Sequence, residues 1–144
     1  MAVEIDIDID EIKGLPRDVE IALSKAMKYL TMDLEAEAGK EAPVGETGQL
    51  MGRIGMGQKS KLAYYIGSDI VYRWWVHEGT GIHGVHEERI TPVEKQLMVF
   101  RYDGRKVVTQ SVEGQEPNPY YERAIETVED NVDMYVEKAM EDLL

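Results

Sequence analysis

The chain has 144 residues, 43% of them hydrophobic, with 16 basic and 28 acidic side chains and no cysteine. That length fits one domain with a real core, and the lack of cysteine excludes a disulfide framework and a thiolate zinc site. A net charge of −12 repels phosphate and argues against tight nucleic-acid binding.

The acid is concentrated at the two ends. Residues 1–50 carry 5 basic and 12 acidic side chains and residues 101–144 carry 5 and 11, whereas residues 51–100 carry 6 and 5. The bland reading of such a surface is solubility, and the sharper one is a surface that lets DNA pass without sticking. The N-terminus lacks the basic start and apolar run of a cleavable signal. No apolar stretch approaches the roughly 20 residues of a membrane helix. The expectation is a soluble protein with no membrane partner.

Val3, Ile5, Ile7 and Ile9 alternate with Glu4, Asp6, Asp8 and Asp10. Strict period two predicts an acidic N-terminal strand within residues 1–13. Gly14 breaks the pattern, and Pro16 suits the first turn of a helix. Val19, Leu23, Ala26, Met27, Leu30 and Leu34 then recur at three- and four-residue spacing, predicting an amphipathic helix over about 16–38. Gly39 is the expected stop, with Pro43 just beyond. Residues 40–60 contain Gly45, Gly48, Gly52, Gly55 and Gly57 and read as a flexible loop.

A short strand is expected over 62–67, and a short helix ending at Gly79 over Tyr72–Glu78. Of Trp74 and Trp75, one is expected in the core and one as an interface anchor. Asp103-Gly104 lies between Leu97, Val99, Phe100 and Val107, Val108, Val112, which signals a tight hairpin. Asn118 and Pro119 open a second long helix over about 119–143. Its apolar stripe is Tyr121, Ala124, Ile125, Val128, Val132, Tyr135, Val136, Ala139 and Leu143, and Leu23, Leu30, Ile125 and Val132 are expected to be buried. Two long helices covering a small antiparallel sheet with a β-hairpin make an α+β single domain.

The residues with most chemical potential are His77, His83 and His86, which lie among Glu78, Glu87 and Glu88. Imidazole and carboxylate together bind zinc and other divalent ions, so a small metal-dependent hydrolase is the alternative reading. The spacing is not that of a helical HExxH site, and glycines break the segment. There is no Gly-x-Ser-x-Gly elbow and no Gly-Lys-Ser/Thr phosphate loop. The bland account is a solvated polar loop, with no cofactor and no catalytic residues. A generic binding module remains a third possibility.

Four short motifs stand in order: Ala42-Pro43-Val44-Gly45-Glu46-Thr47-Gly48-Gln49-Leu50; Tyr72-Arg73-Trp74-Trp75-Val76-His77-Glu78-Gly79-Thr80-Gly81; Ile90-Thr91-Pro92; and Gly114-Gln115-Glu116-Pro117-Asn118-Pro119-Tyr120-Tyr121-Glu122-Arg123-Ala124. Together they resemble the tail-completion, or head–tail joining, proteins of long-tailed double-stranded DNA phages (neck or minor tail components). Ala42, Pro43, Thr47, Gly48 and Leu50 match that family's first segment, with one extra residue after Pro43. Tyr72, Val76, Gly79 and Thr80 match its second, where His77-Glu78 replaces an acid–aromatic pair. Ile90 and Pro92 match the third segment, and Gly114, Pro117, Pro119, Tyr120, Tyr121 and Ala124 the last.

The resemblance implies a structural, non-enzymatic virion protein that assembles as a ring around the DNA channel. It implies further copies of the chain, a tail terminator or tube protein, and a connector as partners, with DNA passing through unbound. The location implied is the neck or tail of the virion, and the host cytoplasm during assembly. Thr47, Gly48, Leu50, Trp74, Trp75, Glu78, Gly79 and Thr80 are the expected assembly contacts.

Overall fold

The computed structural model describes residues 2–6, 16–45 and 48–143. Among these the order is β1 (Ala2–Asp6), α1 (Arg17–Glu41), α2 (Gln49–Gly52), β2 (Ile54–Gln58), β3 (Ala63–Ser68), α3 (Arg73–Glu78), β4 (Met98–Tyr102), β5 (Arg105–Thr109), α4 (Tyr120–Glu129) and α5 (Val132–Glu141). The class is α+β. The sequence suggests one domain; the chain divides into two compact units, residues 1–70 with 120–144, and residues 71–119. No helix among the described residues is long and apolar enough to cross a membrane.

The larger unit is organised on α1, whose 25 residues extend about 37 Å at the usual helical rise. Its N-cap is Pro16, whose carbonyl accepts from the Val19 and Glu20 amides at 3.0 and 3.1 Å. Asp18 and Glu20 in the first turn and Lys40 in the last complement the helix dipole. The expected stop at Gly39 is not used. The helix runs on to Glu41, and Ala42 turns to extended backbone at φ −65, ψ 137. Pro43 explains this, because its ring disfavours helical geometry in the residue before it.

The buried stripe of α1 is Ala22, Ala26, Met27, Thr31, Leu34 and Ala38. Leu23 and Leu30, expected in the core, are half-buried. The stripe lies one position round the helix from where large apolar residues would place it, because alanines occupy its centre line. Small side chains there let α4, α5, β2 and β3 pack close to the helix. Thr31 satisfies its buried hydroxyl by donating to the Met27 carbonyl at 2.7 Å.

Three strands form an antiparallel sheet in the order β1-β3-β2. Ala2 pairs with Gly67 and Asp6 with Ala63 on one side of β3, and Ile54 with Ser68 and Gln58 with Tyr64 on the other. The strand expected within 1–13 is thus present as β1, while residues 7–13 lie outside the described ones. In β3, Tyr64 and Ile66 are buried and Tyr65 is exposed, the alternation of a one-sided sheet. The hairpin turn is tied to α1: the Ser24 hydroxyl donates to the Lys61 carbonyl at 2.7 Å, and Lys61 Nζ pairs with Glu20 at 3.1 Å.

The flexible loop expected over 40–60 is largely ordered structure: the end of α1, the short α2 and the strand β2. Glycines at 55 and 57 weaken the strand signal, but pairing with β3 supplies the hydrogen bonds that propensity does not. The second long helix is also corrected, since it breaks between α4 and α5. Asn131 sits at φ −113, ψ 12, its side-chain amide donates to the Thr127 carbonyl at 2.9 Å, and its own carbonyl accepts from Met134 at 3.1 Å. Asp and Asn side chains compete with helical backbone bonding, so Asp130-Asn131 is a natural break.

The break re-phases the apolar stripe. Tyr120, Tyr121, Ala124 and Val128 of α4 and Tyr135 and Ala139 of α5 are buried, but Ile125 is half-buried and Val132 is exposed. The Tyr120 and Tyr121 rings lie 4.5 Å apart at 35°. Arg123 Nε donates to Glu41 Oε2 at 2.6 Å, tying α4 to the end of α1. Tyr135 donates to Asp33 Oδ2 at 2.7 Å, tying α5 to its middle.

Leu34 and Ile125 distinguish full from partial burial. Leu34→Ala is expected to cost about 2–5 kcal/mol in urea unfolding, and Ile125→Ala clearly less, about 1–2 kcal/mol; equal losses would contradict this packing. A second expectation concerns alkali. Burial, and then the bond to Asp33, push the Tyr135 phenol up from its ordinary value of 10.0. The neutral phenol is therefore favoured by folding. Its contribution is intact below about pH 10 and is lost as pH climbs towards the raised value. Tyr135→Phe should flatten the loss of thermal stability above pH 10, while costing about 1 kcal/mol at neutral pH.

Candidate interaction surface

The unit of residues 71–119 is held together by backbone rather than by a core. Its α3 ends at Gly79, whose amide donates to the Trp75 carbonyl at 3.0 Å. A 3₁₀ turn over Gly81–His83 follows. The segment 79–84 is clasped by 113–118: the Thr80 amide donates to the Gln115 carbonyl at 2.9 Å, the Ile82 amide to Glu113 at 2.8 Å, and the Asn118 amide to Val76 at 3.0 Å. The Gln115 amide donates to the Thr80 hydroxyl at 2.9 Å. Ile90 and Val112 form an isolated antiparallel bridge.

This clasp explains why two of the sequence motifs contain glycine. A Cβ on Gly81 would sit 2.0 Å from the Glu113 carbonyl oxygen, and one on Gly114 would sit 2.1 Å from that of Thr80. The two strands of chain approach so closely that neither position has room for a side chain. The second and fourth motifs are thus two halves of one contact.

Beyond the clasp, β4 and β5 form a two-stranded antiparallel hairpin. Asp103 and Gly104 both have positive φ, 50° and 74°, as the two-residue turn requires. This matches the turn expected from the sequence. Thr109 and Ser111 close its base, with the Thr109 hydroxyl donating to the Ser111 carbonyl at 2.9 Å.

Only His77 and Gly79 are buried in this unit. Both tryptophans are exposed, Trp74 at 46% and Trp75 at 59%, so the expectation that one fills the core is corrected. Neighbouring indoles on a helix of 6 residues diverge by about 100°, and this unit has no interior into which one of them turns. Val71, Val85, Val93, Val99, Tyr102 and Val108 are exposed as well. Trp74 and Trp75 line an open depression of about 460 Å³ together with Glu78, Val85, Glu88 and Arg89. Arg89 is held there by Ser111 at 2.9 Å and Glu113 at 3.2 Å.

The other expected contact residues fall into different settings. Gly48 is the left-handed residue before α2, and Leu50 of α2 is buried at 2% exposure, so its side chain is committed to the core. Thr47 lies outside the described residues. Gly79 is buried and Thr80 is occupied by the clasp, while Glu78 is exposed. The apolar hairpin face, by contrast, was not singled out by sequence reasoning. Its signal was present in Arg101, Arg105 and Lys106, basic residues close to Val99, Val107 and Val108 in an acidic chain.

The three histidines are not brought together. His77 is buried with Nδ1 2.7 Å from Glu78 Oε1, His83 is half-buried, and His86 is exposed. Among the described residues no three His, Asp or Glu side chains are grouped as a metal site needs. Comparison with family models, with curated proteins and with solved structures finds no match to this chain.

The clasp makes a direct prediction. Gly81→Ala should destabilise the protein by more than about 1 kcal/mol. It should also speed hydrogen exchange at the Thr80, Ile82 and Gln115 amides relative to those of α1. Unchanged protection at those amides would contradict the close approach.

Proposed function

We propose that this protein is a structural component of the head–tail joint of a long-tailed double-stranded DNA phage, acting by assembly into a ring around the DNA channel. The observation that supports this best is the unit 71–119, which buries one side chain other than glycine and displays two tryptophans and a run of valines. Exposed apolar surface on that scale marks a protein–protein contact. The four sequence motifs resembling tail-completion proteins give that contact its biological setting.

In this reading the chain works by binding, with copies of itself, a tail terminator or tube protein, and a connector as partners. Its acidic surface lets DNA pass without specific contacts. It resides in the virion neck or tail, and in the host cytoplasm before assembly. Trp74 and Trp75 act as anchors at the rim of the depression they line. Aromatic anchors of this kind commonly contribute about 2 kcal/mol or more to binding.

A variant with both Trp74→Ala and Trp75→Ala should therefore fold with nearly unchanged stability, within about 1 kcal/mol, yet fail to complement a phage lacking the gene. Electron microscopy should then show DNA-filled heads and finished tails that do not join, or unstable tails. Full complementation by this variant would overturn the role given to the tryptophans. Normal joined particles from a phage that lacks the gene altogether would overturn the head–tail reading.

A further inference from the structure

We propose that the β4–β5 hairpin of one copy docks into the groove between α5 and the start of α1 of a second copy. The inference rests on the ring reading above for the identity of the partner, and the contact itself is argued from charge and shape.

In the hairpin, Val99 pairs with Val108 and Arg101 with Lys106, and these four residues share one face. All four are exposed, the valines at 60% and 53%. Like charges directly opposite each other across strands are destabilising. No described carboxylate is paired with Arg101 or Lys106. The face thus presents an apolar patch beside two cations that no carboxylate among the described residues neutralises.

The groove is its complement. It measures about 620 Å³ and is lined by Val136, Met140 and Leu143, with Asp18, Glu137 and Glu141 at its edge. Val136 and Met140 stand one helical turn apart, and so do Glu137 and Glu141, giving an apolar row beside an acidic row. Like charges at that helical spacing also cost stability. The nearby Lys138 does not neutralise the row, because its ammonium lies over the Tyr29 ring, 4.5 Å from the centroid. Each surface carries a repulsion that the other removes, and each sets valines or methionine beside charge.

Hairpin and groove are different surfaces of the same chain. Their contact is head-to-tail and repeats from copy to copy, the geometry that produces rings when the rotation closes. Opposite charges steer the encounter and fix which face meets which.

The test uses the absence of cysteine from the chain. A full-length Val108→Cys protein is mixed with a mass-tagged full-length Met140→Cys protein under mild oxidation. The disulfide between the two chains is expected as the main product, well above either homodimer, and its yield should fall as salt rises. Adding Arg101→Glu and Lys106→Glu to the Val108→Cys chain should lower that yield about tenfold. Adding Glu137→Lys and Glu141→Lys to the Met140→Cys chain should then restore it. Homodimers in equal or greater amount, no cross-link, or no recovery in the doubly reversed pair would each overturn the contact. Wild-type complementation by the Arg101→Glu, Lys106→Glu protein would overturn it while leaving the neck reading in place. A specific cross-link from a protein that proves dispensable for joining would leave the contact and remove the neck reading.

Discussion

The buried stripe of α1 is the constraint on which the larger unit depends. Ala22, Ala26 and Ala38 bring helix backbone close to its neighbours, while Met27 and Leu34 fill the space between. Both C-terminal helices and two strands of the sheet meet this one surface. Close packing of that kind makes the stripe sensitive to volume in both directions, since added methylenes strain it as surely as removed ones leave cavities. The polar ties beside it, Arg123 to Glu41 at the end of α1 and Tyr135 to Asp33 nearer its middle, lie at the margins of the apolar contact and fix which stretch of α4 and α5 meets which stretch of α1.

The unit of residues 71–119 follows a different physical rule. It spends its hydrogen bonds on crossing segments of backbone, and its glycines on letting those segments touch. Apolar residues are left on the outside in numbers a stable isolated surface rarely carries. Among the described residues, one unit therefore carries the interior and the other carries most of the large exposed apolar side chains.

How much of this was legible in the sequence depends on whether a local signal or a tertiary partner decided the matter. The α+β class, the strand at the N-terminus, the helix on α1, the short helix on α3 and the Asp103-Gly104 turn each follow from periodicity or turn chemistry. The extension of α1 past Gly39 depended on Pro43 outweighing a glycine. β2 was hidden because its glycines carry no pattern and its strand character comes from pairing with β3. The break at Asn131 was masked by an apolar repeat that continues across it, so Val132 looked internal. Leu50, expected at a contact, is in the core, and neither Trp74 nor Trp75 is, although one of them was expected there, because burial depends on which unit owns an interior. The motifs stand apart in the sequence, and only the folded chain brings Gly81 against Gly114.

A unit without an interior has an evolutionary consequence. Most substitutions at its exposed valines and tryptophans leave the folded state nearly as stable as before, because few contacts inside the chain are lost. Selection on foldedness then acts mainly on the helices and sheet of the other unit. In the function proposed above, selection on recognition acts mainly on this one, and partner preference drifts there without the protein first having to survive an unstable intermediate. The positions there least free to drift are those where backbone meets backbone, as at Gly81 and Gly114.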